Sequence, residues 1–370
     1  MKPTVIDLFC GCGGLSSGFS QAGFKILGGF DKNEQALTTF RKNFPRSRAM
    51  SADLSLLAPD AVARKFGLRR GELDCLIGGP PCQGFSKNVP AVQRFLDDPR
   101  NRLMRVFLDF VERLKPRFVL IENVAEVLRA YDGAVSREIT NRLNDLGYGV
   151  ESAVLNSANF GVPQLRRRAF FLASRTKRVA HLPSPTHVYK EFQPQLEKLF
   201  KKAVSVWDAI SDLPTLEAGA GSDPCAYSKS PGSEFQHIVR NGDKHVYNHV
   251  ARKLTPIQLR RIKCLGPGEG INDLPDEIRP AQGYSGAYAR LRVDEPARTI
   301  TRWVFHPGSG RFVHPTDNRV ITIREAARLQ SFPDNFVFEG TYIEKSHQVG
   351  EAVPPLMSQA IAGCVLDQLG

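Results

Sequence analysis

The chain has 370 residues, 42% apolar and 24% charged, a composition that is ordinary for a folded globular protein and argues against intrinsic disorder. Fifty Lys and Arg against 38 Asp and Glu give a formal net charge of +12, which suits a polyanionic partner but decides little by itself. Seven cysteines without a CxxC pair or an export signal argue against a disulfide framework. No run of about 18 apolar residues is present to span a bilayer, so we expect a cytoplasmic protein without membrane contact.

In chain order, the first half alternates short apolar runs with amphipathic helices, which predicts an α/β fold with a doubly wound, mostly parallel sheet. The clearest helix covers residues 102–114, where apolar residues recur at i, i+3, i+4, i+7, i+8 and i+11. A second helix is predicted over residues 135–146. The predicted strands are residues 4–9, 26–30, 73–77, 117–121, 150–155 and 169–173.

After about residue 182 the chain becomes rich in Pro, Gly and Ser, which predicts a second, smaller and irregular domain. We therefore assign residues 1–182, completed by 347–370, to a catalytic and cofactor-binding domain, and residues 183–346 to the second domain. Residues 187–285 hold thirteen basic and twelve acidic residues, so nucleic-acid binding there must depend on specific side chains. Thr322 to Glu325 form a capping box ahead of a helix, and a last apolar helix over about 353–366 should return to the first domain.

The first predicted strand ends in a glycine-rich turn, Asp7-Leu-Phe-Cys-Gly-Cys-Gly-Gly14, ahead of a helix. Such a turn lets the backbone approach a ligand, and the helix N-terminus favours an anionic group. Asp31 ends the second strand, where a carboxylate can bind ribose hydroxyls, and Asp53 could accept from an adenine amino group. The set fits a dinucleotide about as well as S-adenosylmethionine, and a tight turn with surface acids is the structural alternative.

Cys82 lies in Gly78-Gly-Pro-Pro-Cys-Gln-Gly-Phe-Ser86, where two prolines fix the backbone and flanking glycines leave the sulfur accessible. We interpret it as a nucleophile whose thiolate requires positive charge or local dipoles nearby, whereas Cys75 and Cys364 are interpreted as buried structural thiols.

Glu122 directly follows an apolar strand, a position that can raise the pKa of a carboxyl so that it donates a proton to a ring nitrogen. Arg166 and Arg168, in Gln164-Leu-Arg-Arg-Arg168, would project to one face if they alternate along a strand. A solvated basic edge is the structural alternative. A thiol and an acid on one sheet edge suit addition to a heterocycle.

A zinc site can also be imagined, because His245 and His249 have helical i, i+4 spacing and Cys225 and Cys264 flank them. These spacings fit no regular zinc pattern, and we expect no metal.

The motifs above closely resemble those of the C5 cytosine-specific DNA methyltransferase family, in its bacterial restriction–modification type. They stand in the order of that family over nearly the whole chain, with only residues 183–285 lacking a strong motif. The matching segments are DLFCGCGG, GGPPCQGFS, ENV, QLRRR, RLRVDEPARTIT, TIREAARLQSFPDNF and QVGEAVPP.

The resemblance implies a Rossmann-like fold, S-adenosylmethionine as the cofactor and double-stranded DNA as the partner. Cys82 would attack C6 of a cytosine flipped out of the duplex, under a closing loop of residues 83–100. Glu122 would protonate or hydrogen-bond the ring, Arg168 and Arg166 would hold the base, and the second domain would be the target-recognition domain. The positions that match the cofactor-binding residues of the family are Phe9, Gly11, Gly13, Asp31, Asp53 and Leu103.

Two positions depart from the family's pattern. Lys32 stands where a large apolar residue often stacks on adenine, and Glu351 replaces the asparagine of the usual Gly-Asn-Ala, so we leave Glu351 out of the binding set.

Three other functions are compatible with parts of the sequence. An RNA cytosine methyltransferase shares the fold, but a variable domain of about 100 residues favours DNA. A catalytically inactive DNA-binding homologue is opposed by the intact catalytic residues, and a nicotinamide-dependent oxidoreductase is suggested only by the glycine turn. We expect a monomeric enzyme, and its size suggests the protective half of a restriction system.

Overall fold

The computed structural model describes residues 2–81, 102–175, 180–189, 199–283 and 285–369. Contacts divide the chain into two compact units. The first unit consists of Met1–Asn156, Arg167–Ser184 and Met357–Gly370, and the second of Ser157–Arg166 and Pro185–Leu356. These bounds differ from the predicted domains at residues 157–166 and 347–356, which belong to the second unit, and at residues 183–184, which belong to the first.

Within the described residues, a seven-stranded sheet forms the centre of the first unit. In chain order the strands are β1 (Thr4–Leu8), β2 (Lys25–Asp31), β3 (Arg48–Ser51), β4 (Cys75–Gly78), β5 (Phe118–Val124), β6 (Gly149–Asn156), β7 (Gln164–Leu165), which lies in the second unit, and β8 (Arg167–Ser174). The sheet order is β3-β2-β1-β4-β5-β8-β6. The pairs from β3 to β5 are parallel, whereas β8 runs antiparallel to both β5 and β6. The predicted α/β class with a mostly parallel sheet is confirmed.

Helices that follow the strands cover the sheet with apolar faces. They are α1 (Gly14–Gln21), α2 (Glu34–Asn43), α3 (Pro59–Phe66), α4 (Arg102–Leu114) and α5 (Ala134–Asp145). Helix α4 has the bounds that its apolar period predicts, and Phe107, Phe110 and Val111 on that face are fully buried. They pack in one core cluster with Ile6 and Ile121 of the sheet.

The second unit is built from short elements, in keeping with its Pro-rich and Gly-rich sequence. Its further strands are β9 (His187–Val188), β10 (Lys201–Lys202), β11 (Cys225–Ala226), β12 (His245–Val246) and β13 (Ala297–Arg298). Its helices are α6 (Val206–Ile210), α7 (Glu234–Arg240), α8 (Pro256–Lys263), α9 (Ile323–Leu329) and α10 (Tyr342–Glu351). The predicted capping box is present, because Thr322 and Glu325 exchange side-chain to backbone hydrogen bonds at the start of α9. Helix α10 was not predicted.

The last helix, α11 (Pro355–Leu369), returns to the first unit, where Ser358 Oγ donates to Leu15 O at 2.8 Å. The expectation that no segment could span a membrane needs a correction here. By length and composition alone, Tyr342–Leu369 is apolar enough to do so. Met357, Ile361 and Val365 within it are fully buried in the protein, which is the property of a core helix.

Buried ion pairs join the elements of the second unit around α9. Arg328 donates to Asp334 from α9 and reaches back to Asp212 at the end of α6, and none of the three side chains is more than 2% exposed. Arg319 donates to both oxygens of Glu325 at 2.7 and 2.8 Å. Burial opposes the ionisation of Glu325, but the charge of Arg319 and the hydrogen bonds that it donates outweigh burial and lower the pKa of Glu325. Removing one partner of such a pair leaves an uncompensated buried charge.

His314 is the buried neutral member of this network. Its Nδ1 accepts from the backbone amides of Thr316 and Asp317, at 3.3 and 2.9 Å. Burial, the largest effect, lowers the pKa of His314 to about 4, against the opposing charge of Glu325 and in line with that of Arg319. Protonation would break both amide hydrogen bonds.

Acid should therefore destabilise the second unit. The pKa of His314 is lower in the folded than in the unfolded chain, so its contribution is complete above about pH 6.5 and is lost as the pH falls towards 4. Between pH 7 and 5 we expect a loss of about 2 kcal/mol of unfolding free energy, measured by urea unfolding. Trp207 and Trp303, the two tryptophans of the chain, both lie in this unit and report its unfolding by fluorescence.

His314→Asn, whose amide oxygen can accept the same two backbone amides, should flatten this dependence. His245→Asn, at an exposed position, is the matched control. An unchanged pH dependence in His314→Asn would contradict the assignment.

Candidate active site

Most of the predicted site residues of the first unit that the structure describes lie at or near one edge of the sheet. Strands β1, β2, β4 and β5 are parallel, so their carboxyl ends meet there. Strand β8 runs the opposite way, and its first residues therefore reach the same edge, with Arg168 opposite Val124. The sheet thereby places a carboxyl end and an arginine side by side.

Glu122 and Arg168 form an ion pair at this edge, with Oε1 and Nε 3.0 Å apart. Glu122 is opposite Phe170, so Arg168, two residues earlier on β8, is the diagonal neighbour on the same face. The side chains are only 13% and 19% exposed. A charge-assisted contact with so little solvent screening fixes the direction of the carboxyl group.

Asn123, the next residue, ties the segment after β4 to the end of β5. It is buried, and its Nδ2 donates to Pro80 O at 3.0 Å. A Cβ atom on Gly79 would lie 3.0 Å from Glu122 Oε2, so the absence of a side chain there lets this segment approach the acid closely. Cys82 and the expected closing loop of residues 83–100 lie outside the described residues.

Arg166 does not lie on the strand that carries Arg168, although the sequence predicts that the two project to one face. The alternation that would place it beside Arg168 requires one continuous strand, whereas β8 begins at Arg167 and Arg166 belongs to the second unit. Its guanidinium is buried and donates to Ile300 O and Gly350 O, each at 3.0 Å. These contacts organise the backbone of the second unit.

Four other thiols of the described chain are poorly suited to nucleophilic attack. Burial raises the pKa of Cys10 and Cys75 well above the ordinary value, and raises that of Cys225 and Cys364 as well. Cys75 is fully buried, as the sequence predicts, whereas Cys364 is only partly buried.

The glycine-rich turn after β1 is held by Asp31 at the end of β2. Asp31 accepts from Gly11 N and from Asn33 N, one bond to each carboxylate oxygen, both at 2.8 Å. Phe9 has a positive φ of 60° and Gly13, the N-cap of α1, one of 98°. Gly13 has no side chain with which to cap the first turn of α1, and the Ser16 amide of that turn already donates to the buried Asp7 carboxylate.

Asp53 follows β3 and is exposed, and both of its hydrogen bonds from Ser55 go to Oδ1. These bonds lower the pKa of Asp53, with smaller contributions from the charges of Lys32 and Arg102. Lys32 thus acts electrostatically at the position where an apolar residue was expected. Leu103 is in the first turn of α4, and a cavity of about 440 Å³ opens between this helix and the segment after Asp53.

Two residues that the sequence interpretation left without a role are part of this edge. Asn123 is the second residue of the ENV motif, and its position directly after Glu122 is the only feature of the sequence that points to a role at the site. Asp7 is fully buried on β1 and accepts from Ser16 Oγ at 2.7 Å. Burial, then the charge of Asp31, raises the pKa of Asp7 to about 7 against the hydrogen bond from Ser16.

Two further positions that the sequence singles out, Glu351 and His249, lie in the second unit. Glu351 ends α10 and lies 3.7 Å from Arg302 Nη1, so its charge has a partner. His249 contacts Thr322 Oγ1 and Pro214 O through its two ring nitrogens, at 3.0 and 2.8 Å, and is thereby unsuited to ligate a metal. No group of three or more metal-binding side chains occurs among the residues that the structure describes.

Comparisons with known proteins agree on one family. The profile of the C-5 cytosine-specific DNA methylase family matches residues 3–366. Type II methyltransferase M1.HphI of Haemophilus parahaemolyticus is 38% identical over 99% of this chain and 87% of its own length. Type II methyltransferase M.AgeI of Thalassovita gelatinovora is 33% identical over 97% of this chain and 98% of its own. A crystal structure from E. coli, described as a candidate prophage DNA modification methyltransferase, is 27% identical with a TM-score of 0.78, covering 100% and 99% of the two chains.

The tight packing of the turn predicts a stability difference between two glycines with the same backbone conformation. Gly13 and Gly23 have φ of 98° and 103°, but an added Cβ would lie 2.5 Å from the Phe44 ring at Gly13 and would meet nothing within 4 Å at Gly23. We expect Gly13→Ala to cost about 2 to 4 kcal/mol, from strain and overpacking, and Gly23→Ala about 1 kcal/mol, from strain alone. Urea unfolding followed by circular dichroism measures both, and equal losses would refute this account of the turn.

Proposed function

This chain belongs to the C-5 cytosine-specific DNA methylase family and is a DNA cytosine-5 methyltransferase, and we propose that it transfers the methyl group of S-adenosylmethionine through a covalent adduct of Cys82 with cytosine C6. The observation that carries the proposal is the Glu122–Arg168 pair on the same sheet edge as the Gly78–Pro81 segment that leads into Cys82. The acid and the segment that leads into the proposed nucleophile thereby come from the adjacent strands β5 and β4.

The cofactor-binding positions fit S-adenosylmethionine. Each oxygen of Asp31 accepts one backbone amide and can accept one ribose hydroxyl as well. Asp53 is held as an ionised acceptor, which suits an amino group, and the glycine turn at the N-terminus of α1 suits a carboxylate. Phe9, Gly11, Gly13 and Leu103 would complete the site around them. The bound cofactor supplies an electrophilic methyl group.

The reaction follows from the chemistry of the protein groups. The Cys82 thiolate adds to C6 while Glu122 protonates or hydrogen-bonds N3, and the electron pair that develops at C5 takes up the methyl group. Methyl transfer leaves S-adenosylhomocysteine as the second product. The C5 proton is then lost to water, any proton taken up by N3 returns to Glu122, and elimination of the thiolate restores the aromatic ring and the enzyme. Arg168 orients Glu122 and holds the base, and the contacts of Arg166 give it an organising role in the second unit instead.

Because ring atoms are inaccessible inside a duplex, the substrate is proposed to be a cytosine flipped out of double-stranded DNA, at a cost of a few kcal/mol. We further propose a monomeric, cytoplasmic enzyme that protects host DNA from a restriction endonuclease, as the type II names of its relatives suggest. Bisulfite sequencing of genomic DNA and of RNA after incubation with labelled cofactor would locate the modified base and separate the DNA from the RNA activity. Plasmid from expressing cells should resist an endonuclease whose site contains that base.

Duplex DNA with 5-fluorocytosine at the modified position should form a stable covalent complex with the enzyme. Fluorine replaces the C5 hydrogen that must be lost as a proton before the thiolate can be eliminated. Elimination is therefore blocked, and the Cys82–C6 bond persists on a denaturing gel. Cys82→Ala should give neither complex nor methyl transfer, whereas Cys264→Ala, which removes an exposed thiol, should give both. A covalent complex with Cys82→Ala would assign the nucleophile elsewhere.

Glu122→Gln should lower kcat about 10²- to 10⁴-fold, because proton transfer to the ring is lost while the shape is kept. Arg168→Gln should lower it about 10- to 100-fold by releasing the Glu122 carboxyl. Arg167→Gln, at the exposed neighbouring position on β8, is the control and should retain activity. Steady-state methylation of duplex DNA measures all three, and a larger effect at Arg167 than at Arg168 would contradict the proposed site.

A further inference from the structure

An exposed aromatic cluster lies in the second unit, two residues after the segment Arg290 to Thr301 that the sequence singled out. Trp303 is 45% exposed, although large apolar side chains are normally covered. Its ring contacts His347 on α10 at 5.6 Å in an edge-on arrangement, and Phe305 at 5.7 Å. Ile343, one turn before His347 on the same helix, is 47% exposed. Together they form an apolar surface, which we call the Trp303 surface.

The backbone beneath Trp303 is fixed from several sides. Ile300 donates to Gln164 Oε1 at 2.7 Å and accepts from Arg166 at 3.0 Å. A Cβ on Gly350 would lie 2.2 Å from Arg302 N, so α10 packs directly on this backbone. Arg252 donates to Phe305 O and stacks over the Phe305 ring. An exposed tryptophan on so firmly held a segment is preorganised to contact a partner.

Arg302 adds directional donors to the Trp303 surface. Its guanidinium carbon lies 5.0 Å from the Trp303 ring centroid, a cation–π contact. The pair with Glu351 is long, 3.7 Å, and the two side chains are 51% and 59% exposed. A pair this exposed is weak, so the guanidinium can exchange Glu351 for another acceptor. Arginine reads guanine through two parallel hydrogen bonds to O6 and N7.

The partner that fits is DNA. The domain is nearly neutral, so a bulk field cannot select DNA, and specific side chains such as an exposed arginine on a tryptophan must do so. A second copy of the chain fits less well. Trp303 can cover at most about 250 Å² and the smaller Ile343 less, so that together they fall well below the roughly 800 Å² per partner of a stable dimer.

We propose that Arg302 and Trp303 contact base edges of the DNA substrate and determine which sequence around the cytosine is methylated. This inference rests on the proposed methylation of duplex DNA. Arg302 supplies hydrogen bonds to a base edge, and Trp303 supplies apolar and stacking contact beside it.

The first test is the sequence selectivity of methylation. Wild type and variants methylate a plasmid library randomised around the target cytosine, and bisulfite sequencing gives the relative rate for every sequence. Arg302→Gln and Trp303→Ala should reduce discrimination at one or two positions about tenfold or more. Arg302→Lys should not restore it, because lysine lacks the planar fork of arginine. Glu351→Gln is the control, since it breaks the ion pair but keeps Arg302, and it should retain the selectivity.

The second test uses the two tryptophans of the chain. Trp207→Phe leaves Trp303 as the only indole, and its emission should be quenched by a duplex that carries the methylated sequence. Trp303→Phe leaves only Trp207, and its emission should not change. Anisotropy of labelled DNA in the same samples shows whether the duplex is bound.

Several results would overturn the inference. Two of them are unchanged selectivity in the variants and unchanged Trp303 emission when DNA is bound. A third is a loss of selectivity in Glu351→Gln equal to that in Arg302→Gln. The fourth is a uniform loss of activity over all sequences with a smaller salt dependence, which marks a phosphate contact. Loss of self-association on Trp303→Ala, by light scattering, would instead assign the surface to a second copy. If wild type methylates no duplex DNA, the proposed function fails; if it does and the variants keep their selectivity, only this inference fails.

Discussion

The antiparallel pairing of β8 with β5 is the constraint on which the site depends. In a parallel sheet every strand presents its carboxyl end at the ligand-binding edge, so an arginine at the start of a strand would normally lie at the opposite end. Because β8 is reversed, its first residues reach this edge and Arg168 meets Glu122 at 3.0 Å. Burying either charge alone would cost several kcal/mol, whereas the pair keeps both near the reacting edge. The reversal of one strand thus makes the local chemistry possible.

A second consequence concerns the segment after β4. Gly78 is paired opposite Ile121, which aligns the ends of β4 and β5, and Asn123 then holds Pro80 by a hydrogen bond. The chain therefore leaves the sheet at Gly79, a fixed point next to Glu122 and three residues before Cys82 in the sequence. Fixing the supporting residues is what gives a reacting group its precision. Asp31 does the same for the cofactor turn, because one carboxylate holds both Gly11 and Asn33.

Local patterns predicted much of this arrangement. The apolar period predicted both ends of α4, and the capping box predicted the start of α9. The strand ends identified Asp31 and Glu122 as residues of one sheet edge. What local patterns do not contain is pairing over long distances. Arg328 meets Asp212 across 116 residues, and no spacing in the sequence announces it. Alternation across the QLRRR segment predicts Arg166 beside Arg168, whereas the strand begins only at Arg167.

The same buried arginines explain how the second unit can be irregular and still well defined. With strands of two residues, ladder hydrogen bonds cannot hold it together, and guanidinium groups take over part of this task by donating to main-chain carbonyls. Arg290 donates to Leu265, His314 and Ile262, and Arg324 to Tyr247, Pro333 and Phe336. Because these acceptors are backbone atoms, they are the same whatever side chains the connecting segments carry. Solvent-facing residues such as Trp303 can therefore change without loss of the framework, which allows one scaffold to carry different sequence preferences.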